Sequence, residues 1–135
     1  TYGNFDDDLL NDDADLYIEA VKDDIEIKHA VCQQVLQHDK EDALFAPNTS
    51  GIPINAIAQA FNEKAQERFF GLHFFNPPRI LNFVELIPTS HTKESIILDV
   101  KNFAPNVLGK GVIVVTDVPG FVANRVGTQQ LHDIL

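Results

Sequence analysis

Apolar residues recur along the chain in short blocks of two kinds, compact runs and helically spaced sets. Leu16-Tyr17-Ile18-Glu19-Ala20-Val21 is a nearly continuous apolar run, the pattern of a strand covered on both faces. Asp23 with Glu26 three residues on reads as a capping box, and Ile27, Ala30, Val31 and Val35 follow at helical spacing, which predicts an amphipathic helix over 24–38. Ala43–Ala46 reads as a second strand and residues 47–51 as a loop. Pro53 then opens a helix with Ile54, Ile57, Ala58 and Phe61 inward. Phe69–Phe74 is a third strand, stopped by Asn76-Pro77-Pro78, which cannot continue a ladder. Val84–Ile87 is a fourth. A helical pattern starts at Thr92 and runs through Ile96, Ile97, Val100 and Phe103. Pro105 predicts a kink or early stop in it, with Gly109 available for the cap. Val112–Thr116 is a fifth strand, Val118-Pro119-Gly120 a turn, and 121–135 the beginning of a further helix. Ahead of all these, residues 1–15 combine a short strand end at Tyr2–Phe5 with an acidic turn or short helix holding Leu9 and Leu10.

Strands alternating with helices of this length favour an α/β fold, a parallel sheet wrapped by right-handed crossovers. A dinucleotide-binding sheet of that kind normally begins with a strand, a glycine-rich turn and a helix, and nothing in the sequence matches G-x-G-x-x-G. The expected fold is therefore the C-terminal portion of a Rossmann-like, mostly parallel sheet with flanking helices, lacking the first strand and the glycine-rich turn.

Charge changes the picture little. The formal net charge is -10, and residues 1–24 carry nine of the acids and a single lysine. Nucleic acid is not an expected partner. The early aspartates resemble a calcium loop only superficially, because Asp13 stands where the loop needs glycine for its sharp turn, and no metal site is expected. A lone cysteine, Cys32, excludes an intramolecular disulfide and fits a reducing cytoplasm. No apolar run approaches the roughly 20 residues of a membrane span and no signal peptide opens the chain, so a cytoplasmic location is expected. The chain starts at Thr1 and ends at Leu135 inside a helix-like pattern, so both ends are expected to be boundaries of a piece of something longer.

Candidate chemistry stands at strand ends and in the loops after them. His73 closes a buried strand, where rigid backbone can hold a titratable ring against a substrate as a general base; a core histidine satisfied by backbone is the alternative. Glu85 interrupts the apolar strand Phe83–Ile87, and a carboxylate there is costly unless paired, with His73 on the neighbouring strand as its candidate partner. An outward position is the plainer reading. Ser50 precedes the Pro53 helix and could cap it, contact a substrate, or do both. Asn124 could equally sit at a helix terminus, with Arg125 at a surface or interface.

These segments carry a family resemblance. Asp15–Val21, Asn48-Thr49-Ser50, Arg68-Phe69-Phe70-Gly71-Leu72-His73-Phe74-Phe75-Asn76-Pro77, Val84-Glu85 and Asp117-Val118-Pro119-Gly120-Phe121-Val122-Ala123-Asn124-Arg125 closely resemble the NAD-binding domain of 3-hydroxyacyl-CoA dehydrogenases. Asn76-Pro77-Pro78-Arg79 and Leu86-Ile87-Pro88-Thr89 look most like the long, multifunctional bacterial fatty-acid oxidation enzymes. The resemblance implies His73 as general base and Glu85 as its partner, with Ser50 and Asn124 hydrogen-bonding the substrate. It also implies Asn48 beside the nicotinamide, Asp23 and Lys28 along the NAD cofactor, and Asn76 near the acyl-CoA. The implied reaction oxidises an L-3-hydroxyacyl-CoA to the 3-oxoacyl-CoA with NAD, a step of fatty-acid beta-oxidation.

On this reading 1–119 is a partial NAD-binding domain and 120–135 starts the helix leading to a helical domain. The isolated chain is expected to be inactive. Leu16–Val21 would have paired with the missing first strand, so self-association through its exposed edge or swapped elements is expected. A non-catalytic α/β interaction domain and another NAD-dependent hydroxy-acid dehydrogenase are the alternatives.

Overall fold

The computed structural model describes residues 13–38 and 42–121. The expected elements at Tyr2–Phe5, Leu9–Leu10 and 122–135, and with them Asn124, lie outside the described residues. Strands β1 (Leu16–Glu19) and β2 (Leu44–Pro47) pair in parallel across helix α1 (Ile25–His38), with Leu16 opposite Leu44. Two short helices follow, α2 (Ile54–Ala58) and α3 (Glu63–Gln66), and lead into β3 (Phe70–Phe74). A parallel bridge between Phe45 and Phe69 joins β2 to the start of β3. Strand β4 (Phe83–Pro88) is antiparallel to β3, whereas β5 (Gly111–Val114) returns parallel to β4 after helix α4 (Glu94–Phe103).

The expected α/β sheet with flanking helices is thus present, and one pairing departs from the parallel rule. Only residues 75–82 separate β3 from β4. A parallel crossover needs a dozen residues or more, so this connection can only reverse the chain. The same reversal brings β3 and β4 into direct register, with His73 opposite Glu85.

Three local details differ from expectation. Asp24, not Asp23, caps α1: its Oδ1 accepts from the amides of Glu26 at 3.0 Å and Ile27 at 3.3 Å. Asp23 is thereby left free for other work. The α-helical part of α4 ends at Phe103, the early stop expected at Pro105, but the chain continues as a π-helical turn, Ala104–Leu108, closed by Gly109 at a φ of 65°. Proline has no amide to donate and its ring crowds the preceding turn, and a wider turn relieves both. Helix α3 has no counterpart among the expected elements. Its signal was Asn62, whose side chain accepts from the Ala65 amide at 2.9 Å.

The sheet packs on both faces at β2, β3 and β4, whereas β5 is largely exposed and β1, expected to be covered on both faces, leaves Ile18 exposed. On one face, α1 and α2 cover Phe45, Phe69 and Ile87 with Cys32, Val35, Ile54 and Ile57; on the other, α4 covers Phe70, Leu72, Val84 and Leu86 with Ile96 and Val100. Alternation along β3 puts Gly71 and His73 on the first face. Gly71 is needed there, because a Cβ would meet Ile54 Cδ1 at 2.6 Å and Ile87 Cδ1 at 3.0 Å. Close approach of α2 to β3 brings the loop before α2, with Ser50, alongside His73.

Candidate active site

His73 and Glu85 are both buried, and Nδ1 of the ring lies 2.7 Å from Glu85 Oε2. A carboxylate on Nδ1 holds the proton at that nitrogen, which leaves the Nε2 lone pair available in the neutral ring. Ser50 Oγ stands 3.2 Å from Nε2. The tautomer assigned by this network has the Ser50 hydroxyl donating to Nε2. Phe75 and Phe121 flank the imidazole, with ring centroids 5.4 Å and 5.6 Å away. They shelter it from water on two sides. Phe121 is fully buried and adopts a φ of 44°, unusual for a residue with a side chain, directly after Gly120 at 78°.

The loop that carries Ser50 is held at three points. The Ser50 amide donates to Asp23 Oδ2 at 3.1 Å, while the preceding Thr49 Oγ1 accepts from the Ile52 amide at 3.1 Å and shapes the turn. The third is the α2 terminus itself. The Ile54 and Asn55 amides donate to the two oxygens of Asp117, each at 2.8 Å, so the cap of α2 is Asp117 rather than Ser50. Asn55 Nδ2 adds a third bond to the same carboxylate at 2.6 Å. Asn48, at the end of β2, ties the sheet together: its side-chain Oδ1 accepts from the Phe74 amide at 3.1 Å and its own amide donates to Glu19 O at 2.7 Å.

Lys28 is fully buried, and its ammonium is met by Glu19 Oε1 at 2.9 Å, Glu19 Oε2 at 2.8 Å and Asp23 Oδ1 at 3.3 Å. Burial works against the Asp23 carboxylate, but hydrogen bonds from the Ser50 amide and Thr49 and the charge of Lys28 outweigh it and lower its pKa. Asp23 therefore stands as a partly exposed anion at the mouth of the site, beside Ser50.

The structure thus brings together Ser50, His73 and Glu85, with Asp23, Lys28 and Asn48 in the adjoining shell. Asn76 stands apart on the exposed turn after β3, and Asn124 lies outside the described residues. Two residues were missed from the sequence. Glu19 is an acid inside an apolar strand, the same signal that singled out Glu85, and it could have been found that way. Asp117 had no local signal, because the amides it caps lie more than sixty residues earlier.

Chemically, the pair can take a proton at Nε2 and stabilise the resulting imidazolium with the Glu85 anion. The loops after β1 and β2, carrying Asp23 and Asn48-Thr49-Ser50, lie at the carboxyl ends of parallel strands, where open α/β sheets hold nucleotides. The described residues contain no glycine-rich turn to hold the pyrophosphate of a dinucleotide.

Residues 2–118 match the family described as "3-hydroxyacyl-CoA dehydrogenase, NAD binding domain". A probable 3-hydroxyacyl-CoA dehydrogenase of Deinococcus radiodurans is 44% identical over 126 residues, 93% of this chain and 36% of the relative. A putative fatty acid oxidation complex trifunctional enzyme of Rickettsia felis is 41% identical over 128 residues, 94% of this chain and 18% of that protein. The crystal structure of (S)-3-hydroxybutyryl-CoA dehydrogenase from Ralstonia eutropha superposes with a TM-score of 0.85 at 32% identity, covering 98% of this chain and 44% of the other. The chain therefore spans less than half the length of each of these relatives.

Proposed function

Because this chain belongs to the family of 3-hydroxyacyl-CoA dehydrogenase NAD-binding domains, we propose that it supplies the acid–base half of an NAD-dependent oxidation of L-3-hydroxyacyl-CoA to 3-oxoacyl-CoA. The observation that carries the reading is the Ser50–His73–Glu85 arrangement, with bonds of 3.2 Å and 2.7 Å along it. His73 Nε2 accepts the hydroxyl proton of the substrate. Glu85 steadies the ring and offsets the charge that forms on it. Ser50 and, by resemblance, Asn124 hold the substrate oxygen, and Asn76 lies along the acyl-CoA. NAD, when bound, supplies the acceptor for the hydride leaving C3. By resemblance, Asn48 lies beside its nicotinamide, and the stretch holding Asp23 and the buried Lys28 lies along the cofactor.

The proposed reaction belongs to fatty-acid beta-oxidation in the cytoplasm. The chain spans less than half the length of the relatives it matches, and the proposed activity is that of the longer protein. None of the described helices is long and apolar enough to cross a membrane. Among the described residues β1 pairs only with β2 and its Ile18 is exposed, which supports self-association through that edge. Light scattering across a concentration series should show a growing dimer fraction. A monomer throughout removes this part of the proposal.

The deciding experiment is a kinetic assay of the full natural polypeptide with acetoacetyl-CoA and NADH. His73→Ala should lower kcat by about a hundredfold or more while the fold persists. A near-normal rate would remove His73 from the mechanism. Turnover of free hydroxy acids as fast as of their CoA esters would reassign the substrate class.

A further inference from the structure

Lys28 presents an electrostatic problem whose solution reaches the reacting ring. A fully buried ammonium is tolerable only when closely paired. Two carboxylates are within reach, and they share the task unequally. Glu19, itself largely buried, meets Nζ with both oxygens at 2.8 Å and 2.9 Å; Asp23, whose side chain is 41% exposed, touches it with Oδ1 alone at 3.3 Å. That division leaves Asp23 Oδ2 to receive the Ser50 amide at 3.1 Å. Glu19 also accepts from the Val21 amide at 2.5 Å, which ties the carboxylate to the turn that carries Asp23.

We infer that Glu19 is a positioning residue of the site: by engaging Lys28 with both oxygens it keeps the Asp23 carboxylate on the Ser50 amide, and through Ser50 it aligns the hydroxyl on His73 Nε2. The chain of contacts is continuous, from Glu19 through Lys28, Asp23 and Ser50 to His73 and Glu85. Without the Glu19 charge, the buried ammonium draws both Asp23 oxygens to itself. The Ser50 amide then loses its acceptor. The lowered pKa of Asp23 agrees with a carboxylate divided between a cation and an amide. This role rests on the proposed reaction for its catalytic meaning, though the coupling itself can be read without substrate.

The test is made first on the 135-residue chain by nitrogen–proton correlation spectra. Glu19→Gln should move the Ser50 amide proton upfield, raise its solvent exchange about tenfold, as expected for loss of a bond to a charged acceptor, and shift the His73 Nε2 resonance. Adding Lys28→Met to that variant should return both resonances towards their original positions, because the competing cation is gone. A purely structural role for Glu19 predicts further disturbance instead. Should Glu19→Gln fail to fold, Glu19→Asp keeps the charge one methylene farther from Lys28 and should shift the same resonances in the same direction by less. Unmoved Ser50 and His73 resonances in a folded variant would overturn the inference.

In the full natural polypeptide, Glu19→Gln should lower kcat about tenfold with an unchanged KM for the acyl-CoA, and its effect should shrink below about twofold in a Ser50→Ala background. Fully additive effects would overturn the route through Ser50. Resonance shifts without any dehydrogenase activity in the full natural polypeptide would leave the coupling intact and strike the proposed reaction.

Discussion

His73 and Glu85 stand directly opposite each other in the antiparallel β3–β4 register, with 2.7 Å between Nδ1 and Oε2 and almost no water access to either. Cross-strand neighbours of this kind share one sheet face, so the pairing is set by backbone rather than by flexible side-chain reach. Glu85→Gln retains the shape and removes the anion. We expect kcat of the full natural polypeptide to fall by about 10²–10⁴, in the range found when the carboxylate orienting a catalytic histidine is neutralised. Stopped-flow turnover would measure it, and a fall of less than threefold would mean that the charge is not used.

Asp117 joins the end of the described chain to the start of α2 through three hydrogen bonds. Asp117→Ala should destabilise the chain by about 2–3 kcal/mol, since a cap is worth about 1 kcal/mol and further buried donors are left unmet. Urea unfolding followed by circular dichroism checks this. Asp117→Asn, which keeps one acceptor, should cost roughly half as much.

Asp23 contributes to stability with a definite sign. Its folded-state pKa is lowered, so the contribution is present above the ordinary carboxylate range and is lost as pH falls through the folded value. Asp23→Asn should therefore lower stability near neutral pH and change it little at the acid end. Paired urea titrations at about pH 7 and pH 3 would test this, and an equal effect at both would refute it.

Cys32 is buried on the core-facing side of α1, and burial followed by the charge of Glu19 pushes its thiol up to about 12. A thiol raised in the folded state favours folding while it stays protonated, and that stabilisation is lost as pH rises from the ordinary value of 9.0 towards 12. At neutral pH the group should resist alkylation until the chain unfolds. The rate of labelling by iodoacetamide across a urea series should follow the unfolding curve. Rapid labelling under native conditions would contradict it.

Much of the fold was legible because its signals are local. Apolar runs at Leu16–Val21, Phe69–Phe74 and Val84–Ile87 and helical spacing at Ile27–Val35 and Ile96–Phe103 each reflect burial of nearby residues, and each became an element close to its expected span. The details that escaped depend on competition between equivalent groups. Asp23 and Asp24 are adjacent acids before one helix, and only the path of the chain decides that Asp24 caps while Asp23 turns to Ser50.

The sequence by itself determined the order of the five strands and the three longer helical patterns between them, and the choice of His73, Glu85 and Ser50 as the residues to watch, because residue type and spacing dictate what must be buried and what burial would cost unpaired. Only the tertiary structure decided who meets whom. The short β3–β4 connection makes that pair antiparallel and sets His73 against Glu85, the missing Cβ of Gly71 lets α2 approach and bring Ser50 to Nε2, and a buried Lys28 divides its charge between Glu19 and Asp23. Each of these is a contact between segments distant in sequence, and its geometry exists only once the chain has closed.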